Sequence, residues 1–172
     1  MAKLPIITLP DPLLRETSKP IERIDAQVRR LANDMLETMY AAPGIGLAAI
    51  QVGVPLRLVV LDCSGEDEAP DPRVLINPEI LQLGSQSKVY EEGCLSIPDF
   101  RVDIERPVEL RLRYLDRDGK LQEHDAGGLF ATAIQHELDH LEGKLIIDFL
   151  SRLKRDMVVR KFKKLARQDG PL

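Results

Sequence analysis

Residues 135–140 read Gln-His-Glu-Leu-Asp-His and combine metal-binding and proton-transferring side chains within a Gly- and Pro-free stretch that favours a helix. Positions four apart lie about 40° apart around a helix, so His136 and His140 project from one face and can bind one metal ion. Glu137 projects about 60° from His140, close enough to move a proton on water held by that metal. This HExxH pattern predicts a metal site with its own base; two ordinary histidines on a half-buried helix are the alternative.

A catalytic metal site of this type needs a third protein ligand and an open position for water. Many HExxH peptidases take that ligand from downstream, but no His or Glu follows Glu142 here. The extended pattern HExxHxxGxxH fails because Ile146 stands where it places its final His. Asp148 is the nearest downstream carboxylate and is expected to lie past the helix. The third ligand is therefore sought upstream.

Three upstream side chains are candidates for that ligand. Cys63 ends an apolar strand and is best explained as a small core residue. His124 lies in the charged run QEHD, which is typical of a solvated surface. Cys94 lies in EEGCLS, where Gly93 lets the backbone approach another group closely. A thiolate with two imidazoles suits Zn²⁺ or Fe²⁺, yet Cys94 taken alone is equally well a core thiol.

Length and composition describe one globular protein, with 172 residues of which 44% are hydrophobic and 30% charged. Aromatic residues make up 4% and Trp is absent, which argues against a stacking platform for single-stranded nucleic acid. No apolar run approaches the ~18 residues of a membrane helix, and prolines with an early acid at the start argue against a signal peptide. We expect a cytoplasmic protein with neither a membrane nor DNA as partner, whose two cysteines are free thiols or ligands.

Periodicity and turn signals predict the elements that position these groups. Asp25 is the predicted N-cap of the first helix, and Gly143 is predicted to end the metal helix. No repeat or linker divides the chain, so residues 1–172 are expected to form a single α+β domain. Mixed or antiparallel sheets would pack around the central HExxH helix, between an N-terminal and a C-terminal helix. The predicted segments are helices at 25–40, 128–141 and 150–167, a small-residue loop at 44–51, strands at 56–61, 74–76, 79–83 and 108–115, and a hairpin turn at 118–119 leading into a strand from 121.

Three segments together resemble the peptide deformylase family: GIGLAAIQ at 44–51, EGCLS at 92–96 and QHELDHLEGK at 135–144. Their order, spacing and residue types all agree, and the proline-rich N-terminal arm and basic C-terminal helix are similar too. The resemblance therefore spans essentially the whole chain. It implies a mixed α+β fold and removal of the N-formyl group from new polypeptides that start with formyl-methionine, with release of formate. It also implies one divalent metal ion, Fe²⁺ in the native enzyme, with Zn²⁺ or Ni²⁺ as possible occupants.

The resemblance assigns roles to the residues already singled out. It implies Cys94, His136 and His140 as the metal ligands and Glu137 as general acid and base. Under this assignment the metal lowers the pKa of bound water, and Glu137 passes the water proton to the leaving amine. The single domain at 1–172 is then a metal-dependent deformylase domain.

Two further groups are implied to stabilise negative charge on the formyl oxygen. They are the side-chain amide of Gln51 and the backbone N–H of Leu95. For Gln51 the alternative is a buried amide that ties down the glycine loop, and the two roles are compatible.

The substrate side of the site combines family resemblance with helix geometry. Leu129 and Ala133 lie one or two turns before His136 near the same helix face, so they are expected to line an apolar slot for methionine. Plain core packing is the alternative. Further positions come from the resemblance alone: Ile45 and Gly46 as residues that border the peptide, with Ile45 opposite the slot, and Glu92 and Arg101 as supporting positions.

The C-terminal residues 151–172 are expected to form a basic helix and tail. Residues 152–167 carry eight Lys or Arg and one acid, hence +7, which leaves −11 on the rest of a chain whose total is −4. Such asymmetry is typical of an interaction segment, although a surface helix packing an apolar stripe is the simpler interpretation. Because a deformylase meets its substrate at the ribosome, we expect this helix to contact ribosomal RNA near the exit site. The candidate contacts are Lys161, Lys163, Lys164 and Arg167.

Two other functions are compatible with parts of the sequence. An HExxH peptidase that cuts internal peptide bonds is disfavoured by the missing downstream ligand and the short chain. A non-enzymatic ribosome-associated protein with the same fold is disfavoured because Cys94, Glu137, Gln51 and both histidines are all present. Assays with formylated and ordinary peptides would separate the first, and metal-dependent turnover the second.

Overall fold

The computed structural model describes residues 2–168 and confirms the α+β prediction. The predicted tail at 169–172 lies outside the described residues. Short 3₁₀ helices at Pro12–Arg15, Ala49–Val52 and Ile146–Phe149 connect the main elements. The helices are α1 (Ala26–Ala41), α2 (Gly128–Leu141) and α3 (Arg152–Gln168), and the strands are β1 (Gly46–Ala48), β2 (Leu58–Leu61), β3 (Arg73–Leu83), β4 (Ser87–Cys94), β5 (Ile97–Pro107), β6 (Glu109–Leu115) and β7 (Leu121–Gly127).

A five-stranded antiparallel sheet in the order β1-β2-β3-β6-β7 separates two hydrophobic cores. Successive side chains of a strand point to opposite faces, and β2 is buried on both. Leu58 and Val60 pack in the core that includes α1, whereas Val59 and Leu61 pack in the core that includes α2. The sheet thus holds α2, the helix with the HExxH pattern, on one face and α1 on the other.

A separate antiparallel hairpin of β4 and β5 covers a third core together with the N-terminal arm, the 3₁₀ helix Ile146–Phe149 and α3. Hydrophobic alternation did not predict β5 (Ile97–Pro107). Its inward positions run Val102, Ile104 and Arg106, so the apolar alternation ends in a buried arginine. Arg106 occupies an inward position at which a half-buried strand normally has an apolar residue, so the period-2 pattern is incomplete.

The ends of α1 and α2 follow the predicted signals. The Asp25 carboxylate accepts a hydrogen bond from the Val28 N–H at 3.0 Å, which caps α1. Gly143 has φ +72° after α2, and a Cβ there would overlap the Arg15 carbonyl. This position therefore requires glycine for both its backbone conformation and its close contact.

Two predicted boundaries were wrong. Residues 44–51 are not simply a loop, because Gly46–Ala48 pairs with β2 and Ala49–Val52 forms a 3₁₀ helix. The two short strands at 74–76 and 79–83 are one strand, β3, whose register shifts between Ile76 and Glu79. Asn77 takes φ 51° at this irregularity, and its side chain bonds both backbone groups of Ile21. The contact between Asn77 and Ile21 therefore stabilises the irregularity and lets β3 continue through Pro78.

The C-terminal helix α3 is less buried than its apolar spacing suggested. Val158 and Phe162 are buried, but Leu153 is 71%, Met157 60% and Leu165 42% exposed. The predicted apolar stripe of α3 is therefore only partly a packing face. Among residues 2–168, no helix has the length and apolar character that crossing a membrane requires.

Candidate metal centre

Two elements bring one sulfur and two imidazoles together. His136 and His140 lie one turn apart on α2, and Cys94 lies at the end of β4, where the pairing with β5 shifts register. The three potential ligand atoms lie within 4.8 Å of one another, and Cys94 Sγ is 3.3 Å from His140 Nε2. A tetrahedral zinc-type ion at ordinary bond lengths separates a sulfur and a nitrogen ligand by about 3.5 Å. The spacing of the donor set therefore fits a single divalent ion.

The other candidate ligands lie elsewhere. Cys63 packs at the edge of the central core, and burial raises the pKa of its thiol to about 11. His124 is half-buried on β7, with Nε2 3.3 Å from the Tyr114 hydroxyl. Asp148 pairs with Arg15 at 2.7 Å. Among residues 2–168, the one group of such side chains close enough to share a metal is Cys94, His136 and His140.

The two histidines have different surroundings on the side away from the cluster. His136 Nδ1 lies 3.1 Å from Glu92 Oε1, and because an ionised carboxylate only accepts hydrogen bonds, this contact assigns the proton to Nδ1. Burial opposes protonation of His136, but hydrogen bonds with Cys94 and Glu92 raise its pKa well above the ordinary value. Burial lowers the pKa of His140 well below the ordinary value, and its Nδ1 has no partner among the described residues.

Glu92 and Arg106 form a buried ion pair behind His136. Arg106 Nε and Nη2 donate to the two Glu92 oxygens at 2.6 and 3.0 Å, and the two side chains are only 6% and 7% exposed. Burial opposes ionisation of Glu92, yet the hydrogen bonds from His136 and Arg106 hold its pKa below the ordinary value. Glu92, expected to support the site, therefore directs its carboxylate to a metal-ligand candidate.

Glu137 lies beside the cluster with an incompletely bonded carboxylate. Its Oε1 is 3.9 Å from His136 Nε2, and its Oε2 is buried without a partner among residues 2–168. Burial raises the pKa of Glu137 to about 7, so the carboxyl can take up and release a proton near neutral pH. A Cβ on Gly46 would stand 2.7 Å from Glu137 Oε1. Glycine at 46 thus lets β1 lie directly against this carboxylate.

Gln51 lies in the 3₁₀ helix Ala49–Val52, and its side chain bonds residues of two of the three sequence segments, 44–51 and 92–96. Its Oε1 accepts the Ala48 N–H at 2.9 Å, which ties down the glycine-containing segment. Its Nε2 donates to Ser96 Oγ at 3.0 Å and lies 3.7 Å from Cys94 Sγ. The amide nitrogen therefore lies between the buried Ser96 hydroxyl and the sulfur of the cluster.

A cavity of about 810 Å³ opens beside the cluster, and the remaining predicted site residues line it. Its walls come from β1 and the residues before it, from the β4–β5 hairpin and from α2. Ile45 and Leu129 are large apolar side chains at its mouth, 44% and 50% exposed. Arg101 also lines it, 3.8 Å from Glu91 on the exposed face of the hairpin. The predicted residues along its walls are Ile45, Gly46, Gln51, Glu92, Cys94, Leu95, Arg101, Leu129, Ala133, His136 and Glu137.

Three residues at this site were missed by the sequence analysis. Ser96 meets the Gln51 amide, Arg106 meets Glu92, and Asp139 lies 3.0 Å from Arg106 Nη1. Ser96 and Asp139 lie inside segments that were already recognised, so their positions were a usable signal. The only sequence signal for Arg106 was that it interrupts the apolar alternation of β5.

Comparison with known proteins gives a consistent result. The sequence model for the polypeptide deformylase family matches residues 3–156. The chain is 64% identical to a peptide deformylase of Mesorhizobium japonicum over 97% of this chain and 95% of that protein. The structure of an Ehrlichia chaffeensis peptide deformylase in complex with actinonin superposes with a TM-score of 0.92 at 40% identity, covering 97% of this chain and 99% of that one. A Legionella pneumophila peptide deformylase gives 0.87 at 44% identity, over 99% and 100% of the two chains.

Proposed function

The chain belongs to the peptide deformylase family of metal-dependent hydrolases, which remove the N-formyl group of newly made polypeptides and release formate, and from this premise we propose how its residues divide the work. We assign the metal to Cys94, His136 and His140. The observation that carries the assignment is the placement of their donor atoms within 4.8 Å of one another, next to the buried carboxylate of Glu137. We also extend the metal-dependent deformylase domain to the whole chain, residues 1–172.

The donor set supports a divalent ion that accepts both sulfur and nitrogen. One thiolate and two imidazoles suit Fe²⁺ or Zn²⁺, and three protein ligands leave a position for water or substrate. A divalent ion held there supplies a Lewis acid for the formyl carbonyl and lowers the pKa of water. We propose Fe²⁺ as the native metal, with Zn²⁺ or Ni²⁺ as alternative occupants of the same three ligands.

We assign proton transfer to Glu137. Its Oε2 has no partner among residues 2–168 and it adjoins the ligand set, so it can accept the proton of the attacking water. A pKa of about 7 suits a group that must then return this proton to the leaving amine. Gly46 keeps the carboxylate close to β1, which limits the positions that Glu137 can occupy.

Stabilisation of the formyl oxygen is assigned to Gln51 and the backbone N–H of Leu95. The Gln51 amide is buried and fixed through Oε1, so its N–H groups are oriented before substrate arrives. Its 3.7 Å contact with Cys94 Sγ is long, and a formyl oxygen bound near the sulfur can replace it. Leu95 lies next to Cys94 and lines the same cavity.

The apolar part of the cavity suits the methionine side chain of the substrate. We propose that Leu129 and Ala133 from α2 and Ile45 from the opposite wall form this slot. Gly46 lies on β1, the edge strand of the five-stranded sheet, whose free backbone groups can pair with an extended peptide. Glu92 and Arg101 complete the proposed substrate-facing wall.

We further propose that α3 contacts the ribosome near the exit site, and hence that the enzyme works in the cytoplasm where formylated chains emerge. Lys161, Lys163, Lys164 and Arg167 are all exposed. Within residues 2–168, no basic side chain of α3 forms an ion pair, so these charges are available to phosphate groups.

The decisive experiment measures formate release from a formyl-Met peptide by protein purified without air, with metal analysis of the same sample. We expect turnover in proportion to bound metal, with Fe²⁺ retained at one ion per chain. An acetyl-Met peptide of the same sequence and an internally cleavable peptide are the controls. Cleavage of internal bonds would favour the peptidase alternative, and formate release without bound metal would overturn the site assignment.

A further inference from the structure

We propose that Arg106 is a positioning residue for the deformylase reaction, acting through Glu92 on the imidazole of His136. The inference rests on the proposed metal site and adds to it a residue on β5, outside the three sequence segments that define the family resemblance. Arg106 does not itself line the cavity and forms no hydrogen bond with His136; it bonds Glu92, which lines the cavity and accepts from His136.

The Arg106 side chain is buried and nearly saturated with partners. Two of its nitrogens donate to both oxygens of Glu92, and Nη1 donates to Asp139 at 3.0 Å. Its guanidinium also lies over the Phe149 ring, 5.0 Å from the centroid. These contacts hold the planar guanidinium in one orientation, and its two parallel hydrogen bonds hold the Glu92 carboxylate in the matching orientation.

Glu92 passes this constraint to the metal-ligand candidate. The Glu92 oxygen that receives Arg106 Nη2 also receives the His136 Nδ1–H at 3.1 Å. A proton fixed on Nδ1 leaves the lone pair on Nε2, the ring nitrogen on the same side as Glu137. A carboxylate bonded to the far nitrogen of a ligand histidine fixes its tautomer and ring plane and makes it a stronger ligand.

The Asp139 contact adds a second constraint from the same guanidinium. Asp139 lies on α2 between the two histidines in sequence, so Arg106 joins the β4–β5 hairpin to the metal helix at the level of the site. Cys94 is on the hairpin, and both histidines are on the helix. Arg106 therefore links the hairpin that carries the sulfur to the helix that carries the two imidazoles.

The contrast with His140 indicates that the arrangement is specific. His140 Nδ1 has no hydrogen-bond partner within the described residues, and the side chain is only 1% exposed. His136 is the more exposed ligand at the cavity wall, and it alone has a carboxylate behind it with an arginine behind that.

The test compares Arg106→Met and Arg106→Lys with the parent, using Arg111→Met as a matched control. Arg111 also pairs with two acids, Glu123 and Asp125, but at the surface. We expect Arg106→Met to bind Zn²⁺ about 10–100-fold more weakly in competition with a chelator, the range for loss of such outer contacts. With saturating metal its kcat should fall while KM for a formyl-Met peptide stays at the parent value. Arg106→Lys should be intermediate, because it restores the charge without the fork, and Arg111→Met should match the parent.

A spectroscopic readout separates positioning from general stability. In the zinc-loaded parent the His136 Nδ1–H should give a slowly exchanging imidazole proton signal in NMR, and in Arg106→Met that proton should exchange faster. A folded Arg106→Met protein with the parent's zinc affinity, kcat and protected proton would overturn the proposal.

If Arg106→Met fails to fold because Glu92 is left as an unpaired buried charge, the pair Glu92→Gln with Arg106→Met removes both charges. We expect this double variant to fold and to hold zinc more weakly than the parent, since a neutral amide is a poorer acceptor for the imidazole N–H. Parent-like zinc affinity in the double variant would also refute the role of Arg106. Failure of the underlying site assignment has a different signature: Cys94→Ala would then keep its metal.

Discussion

The proposed metal centre and helix α3 hold their charged groups in opposite ways. At the centre, Glu92 and Arg106 are almost fully buried and bonded to each other and to His136 or Asp139. On α3 the basic side chains are exposed or half-buried, and none of them forms an ion pair within residues 2–168. The first arrangement fixes positions, and the second presents charge.

The difference follows from solvation. A buried charge without its partner is strongly destabilising, so a buried network holds its members in one geometry. Exposed charges are screened by water and salt, and exact positions matter little to their summed attraction for phosphates. Substitutions at the centre should therefore act on turnover through geometry, whereas substitutions on α3 should act on association through charge.

The largest effect is expected from removing Cys94, the proposed sulfur ligand. Cys94→Ala should lose both its metal and its turnover, because two imidazoles alone bind a divalent ion weakly. Cys63→Ala is the control, and it should retain both since Cys63 packs at the edge of the core. Metal content after gel filtration and formate release check the prediction, which one ion per chain in a folded Cys94→Ala protein would contradict.

The next effect separates metal binding from proton transfer. Glu137→Ala should keep its metal and lose roughly 10²–10⁴-fold in kcat, the usual contribution of a positioned acid–base group. Steady-state kinetics and metal analysis of the same sample test this division of roles. Near-parent kcat in Glu137→Ala would rule out Glu137 as the proton carrier.

A somewhat smaller loss of kcat is expected when the side-chain amide of Gln51 is removed. Gln51→Ala should lower kcat by about 10²–10³-fold with little change in KM, the range for one oxyanion donor. Ser96→Ala is the matched control, because it removes the hydrogen-bond partner of Gln51 and leaves the donor in place. If both variants lose the same activity, the amide acts by holding the local structure rather than by stabilising charge.

The apolar slot should respond in KM. Ala133→Phe places a ring in the proposed methionine slot and is expected to raise KM for formyl-Met peptides by roughly tenfold or more, the scale of a misfit in an apolar pocket. Thermal unfolding of the same variant measures any cost to the fold. A stable Ala133→Phe protein with unchanged KM would assign this residue to plain core packing.

The smallest effect on turnover is expected on α3. Changing Lys161, Lys163 and Lys164 to Glu should leave hydrolysis of a short formyl peptide unchanged. Affinity for ribosomes, measured by co-sedimentation over a salt series, should fall. The slope of log affinity against log salt should flatten by about one for each lysine lost. The control changes Lys3, Arg23 and Arg30, which are exposed elsewhere, to Glu with the same net charge. Equal sedimentation of both variants and the parent would show that α3 has a structural role only.

Several features of this protein depend only on local spacing along the chain. The Asp25 cap is a local property of α1, and the i, i+4 histidines with Glu137 and the Gly143 stop are local properties of α2. Helix geometry alone is enough to predict them. The α+β class also followed from local periodicity. The chain's +7 C-terminal segment could be counted in the same way.

Contacts between side chains on different elements depend instead on how those elements pack. Residues on their own left Cys94 open between ligand and core thiol, and the paired hairpin placed its sulfur 3.3 Å from His140. The same pairing joined Arg106 to Glu92, 14 positions apart in sequence, and turned an apparent defect in the alternation of β5 into a buried ion pair. Such contacts depend on strand register and on the docking of α2 against the sheets, and no local pattern encodes either, because a shift of one residue would send Arg106 to solvent.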